Sequence, residues 1–380
     1  MNSYMKYSIM YLAITTIALI YAPQPIQGAL MTSLHITSYQ ASIIVGTTLL
    51  PMAFAPIIYG YILENANAKT VLIFSLSIVI IIQIVQIFIL NYYVFVVVRF
   101  IQALFFPAIQ TSLLAMLTRL EASEKDMGKN VGIYVTSTIA GGLIGRILSS
   151  VFTDIWSWEI AFGILALFLI VGLLLSFKLP SFKSQGPKIK PKEVLPFLGD
   201  MRYMWILIGT FGMFFVFQGT LTLIPFVAEH GSSHVTQAQI SLLYLGYVVG
   251  MIVSFYSSNI VRLFKGRAKA VMFGFVVMII AVAMMYNSNF YNLIAAMVLV
   301  CIGGFIIHSV LSSTINTLGS NKRAVVNGLY LTFYYTGGFI GSIIPTFIYE
   351  SYSFWAVSIL FFVLLVLNLI SFAFRIKMYR

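Results

Sequence analysis

The segment GIYVTSTIAGGLIGRILSSVFTDIWS, residues 132–157, returns as GLYLTFYYTGGFIGSIIPTFIYESYS at 328–353. Gly132, Tyr134, Thr136, Gly141, Gly142, Ile144, Gly145, Ile147 and Ser157 meet Gly328, Tyr330, Thr332, Gly337, Gly338, Ile340, Gly341, Ile343 and Ser353 at one constant offset, and Asp154 meets Glu350. Chance glycine matches do not keep one register across a helix and the turn that follows it, so the chain is read as a duplication. Each copy is apolar over a length that can cross a bilayer, which takes roughly 20 residues of helix.

The rest of the chain has the same character. Of its 380 residues, 60% are hydrophobic and 8% charged. Mean hydropathy is +0.99, which leaves too few charges to solvate a globular surface. Marking off segments by length and punctuation gives twelve expected spans: 5–31, 38–62, 70–90, 92–118, 130–152, 157–177, 203–227, 237–261, 269–287, 291–317, 324–348 and 352–374. The one long connection carries Pro180, Gly186, Pro187, Pro191 and Pro196 with a lysine series, as a flexible linker does. The expected architecture is an all-α membrane protein of two six-helix bundles, 1–177 and 203–380, joined by a linker at 178–202.

Of the 22 Lys and Arg, only Arg99 and Arg146 are embedded in apolar stretches. The others fall on one side of the alternating path, at the termini and the even-numbered connections. The positive-inside rule therefore predicts a cytoplasmic-membrane protein with both termini in the cytoplasm. The net charge of +12 is accounted for by short loops facing anionic lipid, and no nucleic-acid role is read from it. The single Cys301 permits neither a disulfide framework nor a thiolate metal site. His35, His230 and His234 are too dispersed for a metal site, and no cofactor motif is present. The stretch 5–22 lacks the basic n-region and small-residue cleavage site of a signal peptide and reads as the first span.

Three stretches carry a family resemblance. After span 2, Gly60, Ile62, Glu64 and Lys69 keep the register of a Gly-x-Leu-x-Asp-Arg-x-Gly-Arg-Arg loop, with Asn65, Asn67 and Ala68 replacing its central residues. In span 4, Arg99, Gln102 and Ala103 follow an Arg-x-x-Gln-Gly pattern. In span 5, Gly132, Gly141 and Gly145 match an antiporter helix in which Gly142 stands in the place of proline and Arg146 in that of the last glycine. With these motifs and its parallel repeats, the chain resembles the major facilitator superfamily, most closely its twelve-span drug/proton antiporter branch, in which substrate binds near the midplane between two rocking halves. The resemblance implies a monomer that moves a small molecule, with protons as the coupling ion. Within that branch the whole chain looks most like exporters of opine metallophores of the staphylopine type.

Residue chemistry supplies the candidate site. An arginine inside a span costs roughly 2.5–3.5 kcal/mol on insertion scales, so Arg99 and Arg146 are expected to face the bundle interior. The planar fork of Arg146 suits a carboxylate or phosphate; the competing reading is a structural ion pair with Glu159. Gln24 and Gln27 lie beside Pro23 and Pro25 in span 1, and Gln218 lies near Pro225 in span 7. Proline frees carbonyls and glutamine both donates and accepts, so these helices are expected to line the cavity, kinks without a ligand role being the alternative. Among Tyr244, Tyr247, Tyr330, Tyr334 and Tyr335, one or two are expected at the cavity, with Tyr334 assigned to substrate. Arg99, Arg146, Gln24, Gln27 and Gln218 complete the assigned substrate residues.

Coupling falls to His308 or Glu159. His308 either titrates near neutrality or is a neutral histidine held by a backbone carbonyl. Gly60, Glu64 and Lys69 are read as a conformational latch, the alternative being a solvated turn. No Asp or Glu falls in the middle of a span, and such an acid is what a cationic-drug exporter needs to balance its cargo. The expectation is thus a proton-coupled exporter of an anionic or zwitterionic metabolite; multidrug efflux and solute import on the same fold are the alternatives. A membrane-embedded enzyme or receptor is disfavoured, because no catalytic constellation or exposed domain is found.

Overall fold

The structure, a computed structural model, describes residues 3–54, 58–59, 66–119, 124–181, 193–231, 235–287, 289–319 and 322–374. Among these it is helical throughout, and eleven helical stretches are long and apolar enough to cross a membrane. In the expected second span, Ser38–Thr47 is helical, whereas Gly60 and Glu64 of the expected latch lie outside the described residues.

The expected spans correspond to Ser3–Tyr21 with Gln27–Leu34 (span 1), Ser38–Thr47 (in span 2), Ala68–Gln86 (span 3), Tyr92–Ala103 with Phe106–Arg119 (span 4), Glu124–Ile155 (span 5) and Trp158–Ser176 (span 6). After the linker come Met201–Gly231 (span 7), Gln237–Leu243 with Gly246–Phe255 and Ser257–Leu263 (span 8), Arg267–Met284 (span 9), Phe290–Leu318 (span 10), Arg323–Ser351 (span 11) and Phe354–Phe374 (span 12). Span 1 is not the continuous helix of 5–31: it stops at Tyr21, because Pro23 has no N–H to offer and Gln24 donates instead to the Tyr21 carbonyl at 3.1 Å. Span 7 runs straight through Pro225.

Among the described residues, the loop lysines and arginines fall at one end of the bundle, here the basic face; Asp154, Glu159, Glu229 and Glu350 fall at the opposite end. Span 1 packs on span 5 and span 7 on span 11, while span 2 packs on span 11 and span 5 on span 8. The repeat explains the first two contacts. At Gly141 and Gly145 an added Cβ would collide with the carbonyls of Ile14 and Ala18; at Gly337 and Gly341 it would collide with those of Phe211 and Phe215. Backbones this close are the packing that small-xxx-small faces permit. Gly132, by contrast, has open space where a Cβ would go.

Candidate functional site

Between the two halves lies a cavity of about 190 Å³. It reaches from Tyr21 and Gly142 toward the basic face at Val135, Ser254 and Leu331. Aromatic side chains dominate its wall. Tyr334 stacks on Phe214 with ring centroids 3.6 Å apart, and Phe217, Tyr247 and Phe305 meet edge to face. Three of the five tyrosines considered from sequence, Tyr247, Tyr334 and Tyr335, line the cavity, where one or two were expected. Tyr21, Phe214, Phe217 and Phe305 also line it, although no sequence signal separates them from ordinary core aromatics.

One helical turn beyond Gly142 and Tyr247, on the side away from the basic face, a polar layer closes the cavity. Arg146, fully buried, donates from Nε to Gln24 Oε1 at 2.7 Å and from Nη1 to the Gly142 carbonyl at 2.8 Å. Its Nη2 has no hydrogen-bond partner. The rings of Tyr21, Tyr247 and Tyr244 lie 4.2, 4.7 and 5.3 Å from the guanidinium carbon. Such cation–π contacts contribute roughly 0.5–2 kcal/mol each and compensate a buried guanidinium in part.

The ion pairs among the described residues are Arg202–Asp200 and Lys322–Glu193, both at the basic face. Arg202 forks onto Asp200, and these hydrogen bonds hold the Asp200 carboxyl below its ordinary range. The ion pair considered for Arg146 and Glu159 is not among them. Glu159 lines a separate cavity on the opposite face, together with Asp154 and Glu229.

Gln24 and Gln27 bind the two halves together. Gln24 donates to Thr222 Oγ1 at 3.0 Å, and Gln27 donates to the Thr222 carbonyl at 2.8 Å. Tyr244 donates at 3.0 Å to the Leu221 carbonyl, the acceptor that Pro225 leaves without its helical donor. Gln218 is fully buried with neither amide atom partnered. Unpaired polar groups in a buried layer are costly.

Arg99 is elsewhere. Like Arg146, Gln24, Gln27 and Gln218, it is not among the residues that line the cavity: it is fully buried within the first half and donates to the Leu19 and Ile20 carbonyls at 2.9 and 3.2 Å. A second nitrogen donates to Gln102 Oε1 at 2.6 Å. Gln102 in turn donates to the Val79 carbonyl and to Gln83 Oε1. His308 lines the cavity, its Nδ1 2.9 Å from the Tyr330 hydroxyl, which also contacts the His308 carbonyl at 3.1 Å. Lys69, of the expected latch, donates from Nζ to the Phe177 carbonyl at 2.7 Å, at the C-terminal end of span 6. That is a favourable place for a cation.

A cavity between two sets of membrane-length helices is the geometry of a membrane transporter. The chain matches the Major Facilitator Superfamily model over residues 7–342, and it belongs to that family. It is 25% identical over 373 residues to the inner membrane transport protein YnfM of Escherichia coli, covering 94% of this chain and 87% of that one. It is 23% identical over 332 residues to the MFS-type transporter YybF of Bacillus subtilis, covering 85% and 81%. The nucleoside transporter NupG superposes with a TM-score of 0.82 at 14% identity, covering all of both chains, which is a likeness of fold.

Proposed function

We propose that the protein is a proton-coupled exporter of a small anionic or zwitterionic organic solute, with an opine metallophore as the favoured class. The observation that carries this reading is the buried Arg146, whose Nη2 has no partner and which no carboxylate of the described residues pairs. A guanidinium in a low-dielectric site that lacks a paired carboxylate attracts one and repels a lipophilic cation. The tyrosine faces around it would accept the amines of a zwitterion. Export is the direction that the resemblance of span 5 to the antiporter pattern implies.

Gln24 links binding to conformational change in this reading. It accepts from Arg146 and donates to Thr222 at the same time. A substrate carboxylate that takes the guanidinium competes with Gln24 Oε1 and so loosens the layer that holds the two halves together. Differential contacts of this kind are what a ligand needs to shift a two-state equilibrium. His308, on the cavity wall, is the favoured proton carrier.

The test is transport in vesicles holding the purified protein under an imposed pH gradient. A carboxylate-bearing opine is expected to move against its gradient, and an ethidium-like cation is expected to remain where it is. Efficient cation transport with the opine ignored would overturn the reading.

A further inference from the structure

Glu350, at the end of span 11, accepts from the backbone N–H of Tyr39 at 2.7 Å and from the Ser38 hydroxyl at 3.2 Å. Asp154, at the end of span 5, accepts from the backbone N–H of Gln237 at 3.0 Å. These acids are the one charged match in the sequence repeat, and each reaches into the other half of the molecule. Ser38 and Tyr39 open the helix of span 2, and Gln237 opens span 8.

The two receiving helices are built alike. Each begins with a capping box, Thr37 with Gln40 and Thr236 with Gln239. A capping box occupies the third N–H of the helix and leaves earlier donors orphaned. Glu350 and Asp154 each take one of those remaining donors, the Tyr39 and the Gln237 N–H, and each places a negative charge at the positive end of a helix dipole. Around Gln237 the contact is reinforced, because Glu229 accepts from its side chain at 3.2 Å and Ser150 donates to its carbonyl. On the Glu350 side, Gly46, two turns farther along span 2, sits against Ile343 and Ser342 of span 11.

We propose that Asp154 and Glu350 are a symmetric pair of latches that hold shut the face opposite the cavity, each by capping a helix of the other half. It rests on the alternating-access reading above and adds residues to it. Both carboxylates are at the surface, so each latch is weak enough to break during transport. Opening this face separates span 11 from span 2 and span 5 from span 8, and the bonds of Glu350 to Ser38 and Tyr39 and of Asp154 and Ser150 to Gln237 lie across those two seams. The layer of Gln24, Gln27 and Arg146 closes the centre of the same face, and the latches close its flanks.

The experiment uses the full chain in nanodiscs, with Cys301→Ser removing the one native thiol. Single cysteine reporters are Ser241→Cys, buried on span 8 near the Asp154 seam, and Val135→Cys, exposed on the cavity wall. The probe is a water-soluble maleimide, with no substrate present. Neutralising one acid, Asp154→Asn or Glu350→Gln, is expected to speed labelling at Ser241→Cys by about twofold to fivefold, the range for a surface charge at a helix end. Because both acids bias one equilibrium, the double variant should multiply the two effects. Labelling at Val135→Cys should not rise, and Asp200→Asn, at the basic face, should change neither rate. An unchanged Ser241→Cys rate in the double variant, or a rise at both reporters, which signals general loosening, overturns the proposal. Since no substrate is used, these outcomes stand apart from any failure of the anion reading.

Discussion

Arg99 Nη2 donates at 2.9 Å to the carbonyl of Leu19, the acceptor that would bond to the N–H of residue 23 if that residue were not proline. It also reaches the Ile20 carbonyl, which Gln24 abandons by donating to Tyr21. The arginine of span 4 thus caps the broken end of span 1 and holds Tyr21 and Gln24 where the cavity needs them. Its hydrogen bonds in this structure are with the backbone of span 1 and with Gln102.

Arg99→Met should leave two buried carbonyls and the Gln102 amide oxygen without donors, at a cost of about 2–4 kcal/mol. The expected readout is a lower melting temperature for the purified protein. Substrate preference in whatever fraction folds should be unchanged. A shift in preference from anion to cation would place Arg99 in the binding site after all.

Arg146→Ala should keep the protein in the membrane, since it removes an incompletely paired charge. It should also lower transport of a carboxylate-bearing solute by about tenfold or more, the loss expected for a charged hydrogen bond. Arg146→Lys should recover little, because a point charge does not reproduce the fork that meets Gln24, Gly142 and substrate together. Uptake by vesicles carrying each variant measures this directly.

Gly145→Val and Gly341→Val should each force apart two helices that touch through their backbones, costing about 1–3 kcal/mol or more. Gly132→Ala, in open space, should be nearly neutral or slightly stabilising, because alanine favours helix. Thermal melts of the three variants separate these outcomes. Equal melting temperatures would mean that the close crossings are not limiting.

His308→Gln keeps a polar side chain beside Tyr330 and removes the titrating ring. Accumulation driven by a pH gradient should fall to background while substrate exchange at equal pH on both sides persists. If gradient-driven accumulation survives, the proton is carried by Glu159 or by the substrate itself.

The duplication, the spans and the polar residues of the bundle were legible because each is written locally. Helix crossings as close as Gly141 on Ile14 tolerate no side chain, so glycine recurs in both copies at one spacing. Membrane length and the absence of charge mark the spans. Arginine and glutamine stand out against lipid-soluble neighbours whatever they bond to. The sequence alone therefore determined that Arg99 and Arg146 are buried and need partners. Only the tertiary structure decided which partners: Arg99 reaches carbonyls about 80 positions back in span 1, Arg146 a glutamine in span 1 and tyrosine rings from both halves, and Asp154 and Glu350 the ends of helices across the seams. The physical reason is that most of these partners are backbone carbonyls, backbone amides and ring faces, which every sequence offers in abundance, so that only the packing of spans 1, 5, 8 and 11 selects among them.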